Sequence, residues 1–492
     1  MIRDWLVVQT GAVDPRVREP HIPDSLLGDA VRFVACHEVG HSLGLRHNMM
    51  ASAAIPTDSL RSPSFTSWLG GTASSIMDYA RFNYVAQPGD GVKVLSPGIG
   101  PYDLMAIEYG YRWFPEGDPV AETPRLQHLL AAYDSPLYNY CEPVGGRDQV
   151  DPRALSEDLG DDNIKSAAYG VTNLRRIAAH ILDWTTTGEL GQNYDEAANL
   201  LGSVMGQWNR LMNHALANVG GIYVDNTTVG DGRHTYRYVE KDRQCRAVQF
   251  LVDEAFTYPT WLVDSPVTDY TFLVQNTPVG RIELSPSLLM SNYQSYLLWD
   301  LLNHDRLVRM LGNEARNGRE AFTPIELTDM LHRGIFKSTI AGTTPGVRER
   351  SLQKNFVDAL IIAACEKQGV KDGVALRAEE ERREVEKLIE TFGGHDHSLC
   401  CFGSHSHADA ARSISSVYGA PTGEQSSAPR TLNFYSSQSN RISDAISVKR
   451  GELMRIRTLL KNRRGSTADT AARYHYDDML MRINTALGLP LE

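Results

Sequence analysis

Cysteine is scarce in this chain. Its 492 residues hold six, Cys36, Cys141, Cys245, Cys365, Cys400 and Cys401, at irregular spacings that exclude a regular disulfide framework. A chain of this length buries ample core without one, and Cys36 reads as a small buried hydrophobe. Long apolar runs are also missing. No stretch approaches the roughly eighteen apolar residues that a membrane-spanning helix needs, and Met1-Ile2-Arg3-Asp4-Trp5 leads into no export signal. Positive charge is in deficit: 49 Lys and Arg stand against 60 Asp and Glu, for a net charge of −11. That balance excludes an extended nucleic-acid surface and lends nothing to binding at an anionic membrane. No short-period repeat marks a solenoid. What remains is a globular composition, 42% hydrophobic and 22% charged, in a length that suggests about three domains.

The most informative stretch is His37-Glu38-Val39-Gly40-His41-Ser42-Leu43-Gly44-Leu45-Arg46-His47. Upstream, Leu27, Val31, Val34 and Ala35 recur at helical spacing, with Asp24 or Ser25 available to cap the start. His37 and His41 then fall at i and i+4 on one helix face, about 5–6 Å apart at Cβ. Two imidazole nitrogens so placed can converge on one ion at about 2.0–2.1 Å. Glu38, next to His37, faces the open side and can take a proton from water. Gly44 can adopt positive φ and end the helix. The chain then turns back and brings His47 in as third ligand. HExxH alone is moderately specific, and helices carry chance pairs of histidine. Gly44 and His47 complete a catalytic metal set, with a fourth position left for water.

On these residues the chain resembles the metzincin metallopeptidases, whose pattern is HExxHxxGxxH followed by a methionine turn. Ser75-Ile76-Met77-Asp78-Tyr79 is similar to that turn. The resemblance implies that Met77 packs beneath the three histidines, although Met77 alone would read as an ordinary core methionine. It also implies that Tyr79 reaches the zinc or the oxyanion, against the alternative of a packed aromatic with a satisfied hydroxyl. Tyr102 to Tyr111 reads as an amphipathic helix with Leu104, Ile107 and Tyr111 inward, similar to the helix that closes serralysin-like catalytic domains. More narrowly, the chain looks like the carboxy-terminal part of large bacterial zinc-dependent metalloproteases with a Met-zincin domain. That resemblance implies Zn2+ as cofactor, a peptide or protein as substrate, and a periplasmic or extracellular location.

A metzincin domain has a twisted sheet ahead of its active-site helix. Here Ile2 to Gln9 is the one candidate strand before it. The chain therefore reads as a fragment of a longer protein. The expected fold class is mainly α: a truncated metzincin-like catalytic lobe (active-site helix, methionine turn, closing helix) followed by a large α-helical region. The expected divisions are 1–118 for the catalytic lobe, 119–270 for a helical region with a few short strands, and 271–492 for an α-helical carboxy-terminal domain.

The rest of the chain reads as follows. Ala51 to Gly71 is a Ser-, Pro- and Thr-rich loop lining the cleft. Leu174 to Trp184, Tyr194 to Val219, Tyr293 to Leu311, Pro324 to Phe336 and Leu352 to Lys367 are helical, and Thr235 to Val239 is a short strand. Ile442 to Leu460 and Ala471 to Leu487 form a last helix pair around a loop at Arg463 to Thr467, with Ser466 or Thr467 as cap. His395-Asp396-His397 and His405-Ser406-His407 flank Cys400-Cys401, but the spacing matches no standard zinc arrangement and a surface insertion is favoured. Asp158, Asp161 and Asp162 read as helix caps ahead of Ile164 rather than as a calcium loop. Glu379 to Glu384 reads as a solvated helix face. The functional expectation is zinc-dependent endopeptidase chemistry with Glu38 as general base. The rival readings are a non-catalytic zinc-containing interaction module and, against the methionine turn, a hydrolase acting on another bond. Oligomeric state is not readable.

Overall fold

Leu6, Val7 and Val8 are consecutive and all buried, and they begin the molecule as a helix, α1 (Ile2–Thr10), rather than as the expected strand. Among the described residues no neighbouring strand offers them a ladder, and the backbone closes its hydrogen bonds internally. The side chains of Gln9 and Thr10 bond back to the carbonyls of Trp5 and Leu6, and α1 packs on the long helix α8 described below. The computed structural model describes residues 2–19, 21–115, 117–142, 150–230, 232–271, 286–362 and 443–490. The His395–His407 cluster, the Glu379–Glu384 run, and Cys365, Cys400 and Cys401 lie outside the described residues.

The site-bearing part follows α1. It comprises α2 (Asp24–Ser42), α3 (Pro63–Leu69), α4 (Pro101–Tyr111) and α5 (Pro119–Ala131), joined by long ordered segments. The stretch from Ala51 to Gly71 is not the loop expected. It contains a 3₁₀ turn at Thr57–Arg61 and then α3, and it buries Ala51, Ile55, Leu60 and Leu69 in the core. Ser62 caps α3 and Pro63 starts it, so the Ser-Pro content is helix-start chemistry.

Beyond come α6 (Asn163–Ala178), α7 (Ile181–Thr185), α8 (Asp195–Leu216), β1 (Ile222–Val224), β2 (Tyr236–Tyr238) and α9 (Lys241–Glu254). Two single turns, α10 (Thr260–Val263) and α11 (Thr268–Thr271), precede α12 (Pro286–Leu301), α13 (His304–Asn317), α14 (Pro324–Ile335), α15 (Lys337–Ala341) and α16 (Val347–Ile361). The antiparallel helix pair α17 (Asp444–Ser466) and α18 (Thr470–Leu487) ends the described chain. β1 and β2 pair antiparallel, Tyr223 opposite Arg237, and are the only strands among the described residues.

Helical periodicity explains the core. On α8, Leu200, Leu201, Val204, Met205, Trp208, Leu211 and Met212 lie on one face and are buried, each side chain contributing about 1.5–3 kcal/mol of transfer free energy. They meet the buried row Ile164, Ala167, Val171, Leu174 and Ile177 of α6. One continuous apolar cluster runs from Leu6 to Ile483. The fold is mainly α, as expected.

Several boundaries moved. The helix expected from Leu174 to Trp184 breaks at Ala179–His180, and that expected from Tyr293 to Leu311 breaks at Asn303, which caps α13 through the amide of Asp305 at 2.9 Å. The last interhelical loop lies at Thr467–Asp469, and Asp469, not Ser466 or Thr467, caps α18 by accepting from Ala472 N at 2.6 Å. Asp162 caps α6 as expected, accepting from Lys165 N at 3.2 Å. No helix among the described residues is long and apolar enough to cross a membrane.

Candidate metal centre

The buried row of α2 is Leu26, Ala30, Phe33, His37 and Gly40. This is one residue out of phase with the expected row, because the face is set by what His37 and Gly40 must meet. Leu27, Val31, Val39 and Leu43 are instead 39, 59, 56 and 42% exposed, and with exposed Ala35 they form an uncovered row at i, i+4 spacing. Neither Asp24 nor Ser25 caps the helix. Pro23 holds the N-cap with no side-chain bond, and its carbonyl accepts from Leu26 N.

At the other end Gly44 takes φ +83°, the left-handed conformation that stops a helix without a Cβ penalty. The amide of Leu45 then returns to the Gly40 carbonyl at 3.0 Å, and the chain folds back towards the helix. That reversal delivers His47. The ring centroids of His37, His41 and His47 lie 4.8, 5.2 and 4.6 Å apart pairwise, and the Nε2 atoms of His41 and His47 approach to 3.0 Å.

The outer nitrogens are fixed by backbone. His37 Nδ1 lies 2.8 Å from the Ile76 carbonyl, and His41 Nδ1 lies 2.9 Å from the Leu45 carbonyl. A carbonyl only accepts, so each Nδ1 carries the proton and each Nε2 presents a lone pair inward. His37 is 1% exposed, and its Nε2 has no hydrogen-bond partner. A buried orphan nitrogen is costly unless something binds it, and a cation fits this donor set. Burial, the leading cause, lowers the pKa of His37 and keeps it in the neutral, ligating form; the nearby His41 acts the same way, opposed by the Ile76 bond and by Glu38. Among the described residues these three histidines are the one cluster able to hold a metal ion.

Met77 is fully buried, with Phe33 and Ile76 around it. A Cβ on Gly40 would sit 2.3 Å from Met77 Sδ, so Gly40 is glycine because the sulfur occupies that place. Asp103 of α4 holds the turn. Its carboxylate accepts from Ser75 Oγ at 2.6 Å, from Ile76 N at 2.7 Å and from Gly100 N at 2.8 Å. Burial nevertheless raises its pKa. A chain of contacts thus runs from the Asp103 carboxylate through the Ile76 peptide to His37. This fixes the roll of α4: Asp103 and Met105 are buried, whereas Leu104 and Tyr111, expected inward, are exposed.

Asp78 lies behind the turn, fully buried, and accepts from Ser52 N at 2.6 Å. Burial pushes its pKa up to about 7. Asp158, also buried, is raised in the same direction, by burial first and by Asp78 second. Tyr79 follows, its ring 4.6 Å from that of His47 and 5.6 Å from that of His37, nearly parallel to the latter at 27°. Glu38 directly follows His37 on α2, is exposed, and is near enough to act electrostatically on that imidazole.

Asn48 ties the third histidine into the fold. Its amide donates to the Met77 carbonyl at 3.1 Å. Its side chain accepts from Cys141 N at 3.1 Å and donates to the Asn139 carbonyl at 2.8 Å, pinning a strap of residues 139–142 along the site. The strap, with Arg46, walls a cavity of about 270 Å³ that His41, Leu45 and His47 also line.

The structure brings His37, His41, His47 and Tyr79 together and sets Met77 against Gly40 of α2, while Gly44 makes the turn after α2 and Glu38 stands exposed next to His37. Sequence reasoning missed Gly40, Asn48 and Asp103. Only Gly40 left a signal, as a glycine in a helix interior, where it is unfavourable unless packing requires it.

No curated protein and no solved structure matches this chain. Among protein families, the model of the Met-zincin family matches residues 19–342, about two thirds of the chain. With that span covered and the three histidines gathered as the family requires, the chain belongs to the Met-zincin family.

Proposed function

We propose that this protein is a zinc-dependent endopeptidase. One observation carries the reading: three clustered imidazoles, two of them oriented by carbonyls on their outer nitrogens, with the exposed Glu38 next to His37 on the same helix. His37, His41 and His47 would hold Zn2+. That ion, when bound, supplies a Lewis acid and brings the pKa of water to about 7. Glu38 takes the proton from the attacking water and returns it to the leaving amine. Tyr79, whose ring stacks on that of His37 and tilts against that of His47, would donate its hydroxyl to the developing oxyanion. Met77 is the methionine turn, its sulfur fixing the floor on which the histidines stand. Peptides or proteins are the proposed substrates, and the periplasm or cell exterior the proposed location.

Glu38→Gln is the test. The variant is expected to bind zinc with the wild-type stoichiometry and to lose cleavage of a mixed peptide library. Normal cleavage by that variant refutes Glu38 as the base.

A second reading, a non-catalytic zinc-containing interaction module, has one observation in its favour. β1 and β2 pair only with each other, and the row Leu27, Val31, Ala35, Val39 and Leu43 along α2 is uncovered. No strand residue lines the cavity beside the histidines, where an extended peptide would need an edge to pair with. A zinc-loaded wild-type chain that cleaves no member of the library supports this second reading.

A further inference from the structure

The cavity beside the histidines has an unusual lining. Arg46 and Glu142, which form an ion pair, share its lining with His41, His47 and Leu45. The side chain of Arg46 is 70% exposed and that of Glu142 44%. An exposed pair of this kind is worth about 0–1 kcal/mol. The strap does not depend on it, because Asn48 already holds Asn139 and Cys141, and Met49 N donates to the Cys141 carbonyl at 2.9 Å. An ion pair that the fold does not require, set on the wall of a cavity lined by two of the three histidines, is placed to exchange partners with a ligand.

The charges indicate which partner. Arg46 has five N–H donors in a planar fork, and a carboxylate engages such a fork through two parallel hydrogen bonds. Glu142 engages the guanidinium through one of its terminal nitrogens. Leu45 and the two imidazoles share the cavity lining with the guanidinium, so a ligand held there meets apolar and aromatic surface as well as the charge. The matching ligand therefore has a short apolar stem and a terminal carboxylate. A cationic side chain would have to compete with Arg46 for Glu142.

We propose that this cavity is a substrate subsite for a carboxylate, with Arg46 as the recognising residue and Glu142 as its built-in counter-ion. The inference rests on the peptidase reading for the identity of the ligand as a peptide. The carboxylate has two sources, an acidic side chain or a free peptide carboxy terminus. The first makes Arg46 a specificity residue of an endopeptidase; the second makes the site one that trims chain ends.

The test separates these sources and stands apart from turnover. Four fluorescent peptides of one sequence carry Glu or Gln at an internal position, each ending in a free acid or an amide. Their binding to the zinc-loaded Glu38→Gln chain is measured by anisotropy. A carboxylate at one of the two places is expected to tighten binding about ten-fold or more, as a charge-assisted bond does. Arg46→Gln in the same background is expected to abolish that difference, and Glu142→Gln to enlarge it by freeing the guanidinium. Equal binding of all four peptides, no binding of any, or a carboxylate preference that survives Arg46→Gln overturns the proposal. Cleavage of the same peptides by the wild-type chain is scored separately. Carboxylate-dependent binding without cleavage refutes the peptidase reading and leaves the subsite standing; cleavage indifferent to the carboxylate does the reverse.

Discussion

Two glycines on one helix make opposite predictions. Gly28 and Gly40 both lie within α2, and neither has a positive φ. A Cβ built on Gly28 meets nothing within 4 Å, whereas one built on Gly40 falls 2.3 Å from Met77 Sδ and 3.4 Å from its Cε. Alanine is favoured over glycine in a helix interior by about 1 kcal/mol. Gly28→Ala should therefore raise stability by about 0.5–1 kcal/mol. Gly40→Ala gains the same backbone term, but it must displace a fully buried sulfur, and overpacking of this kind costs about 1–3 kcal/mol. The net expectation is a loss of up to about 2 kcal/mol. Met77→Ala removes the obstructing atoms, so in that background Gly40→Ala should recover the stabilising sign, a coupling that a double-mutant cycle reads directly. Urea denaturation of the metal-free chain gives the four stabilities, and competition with a chromophoric chelator gives the matching zinc affinities. Gly40→Ala is expected to weaken zinc binding, because Met77 adjoins Ile76, whose carbonyl orients His37, while Gly28→Ala leaves it unchanged. Equal stabilisation by the two alanines, or an effect of Gly40→Ala indifferent to Met77, would refute the contact.

Asp103→Ala removes the acceptor that holds Ser75 and Ile76; since Ile76 in turn orients His37, zinc affinity should fall about 10–100-fold. An unchanged zinc affinity in a folded variant would show that the Ile76 carbonyl keeps its place without Asp103. Asp78 predicts a pH dependence of stability. Its carboxyl is raised by burial from 3.8 to about 7, so the folded chain holds a proton that the unfolded chain has released between those values. The associated stability is fully present below about pH 4 and is lost as the pH rises through 7, a change on the order of 4 kcal/mol for the isolated group. In urea titrations at several pH values, Asp78→Asn should flatten this slope relative to wild type; parallel curves would mean that Asp78 is ionised in the fold.

The metal centre was legible because helix geometry is local. Spacing alone places His37 and His41 on one face, and Gly44 is the residue that most readily takes the left-handed turn returning His47 to them. The same local logic found α8, whose apolar rows are long enough to fix their own phase, and the cap at Asp162. It failed where a residue's orientation depends on a partner far along the chain. α2 is turned by one residue because Met77 needs the face of Gly40, and α4 is turned because Asp103 is an acceptor for Ser75 and Ile76. Ile2 to Gln9 carries the residues of a strand, but α8 offers a surface for a helix and no strand lies beside it.

The sequence by itself determined the histidine cluster, the glutamate next to it and the largely helical character, since each depends on contacts within a few turns of chain. Only the tertiary structure decided what holds that set in place. Asn48, Asp103, the strap at 139–142 and the Arg46–Glu142 pair act across 27 to 96 residues of intervening chain. Ordinary asparagines, aspartates and arginines carry no periodic signal, and their roles exist only once folding brings donor and acceptor within about 3 Å.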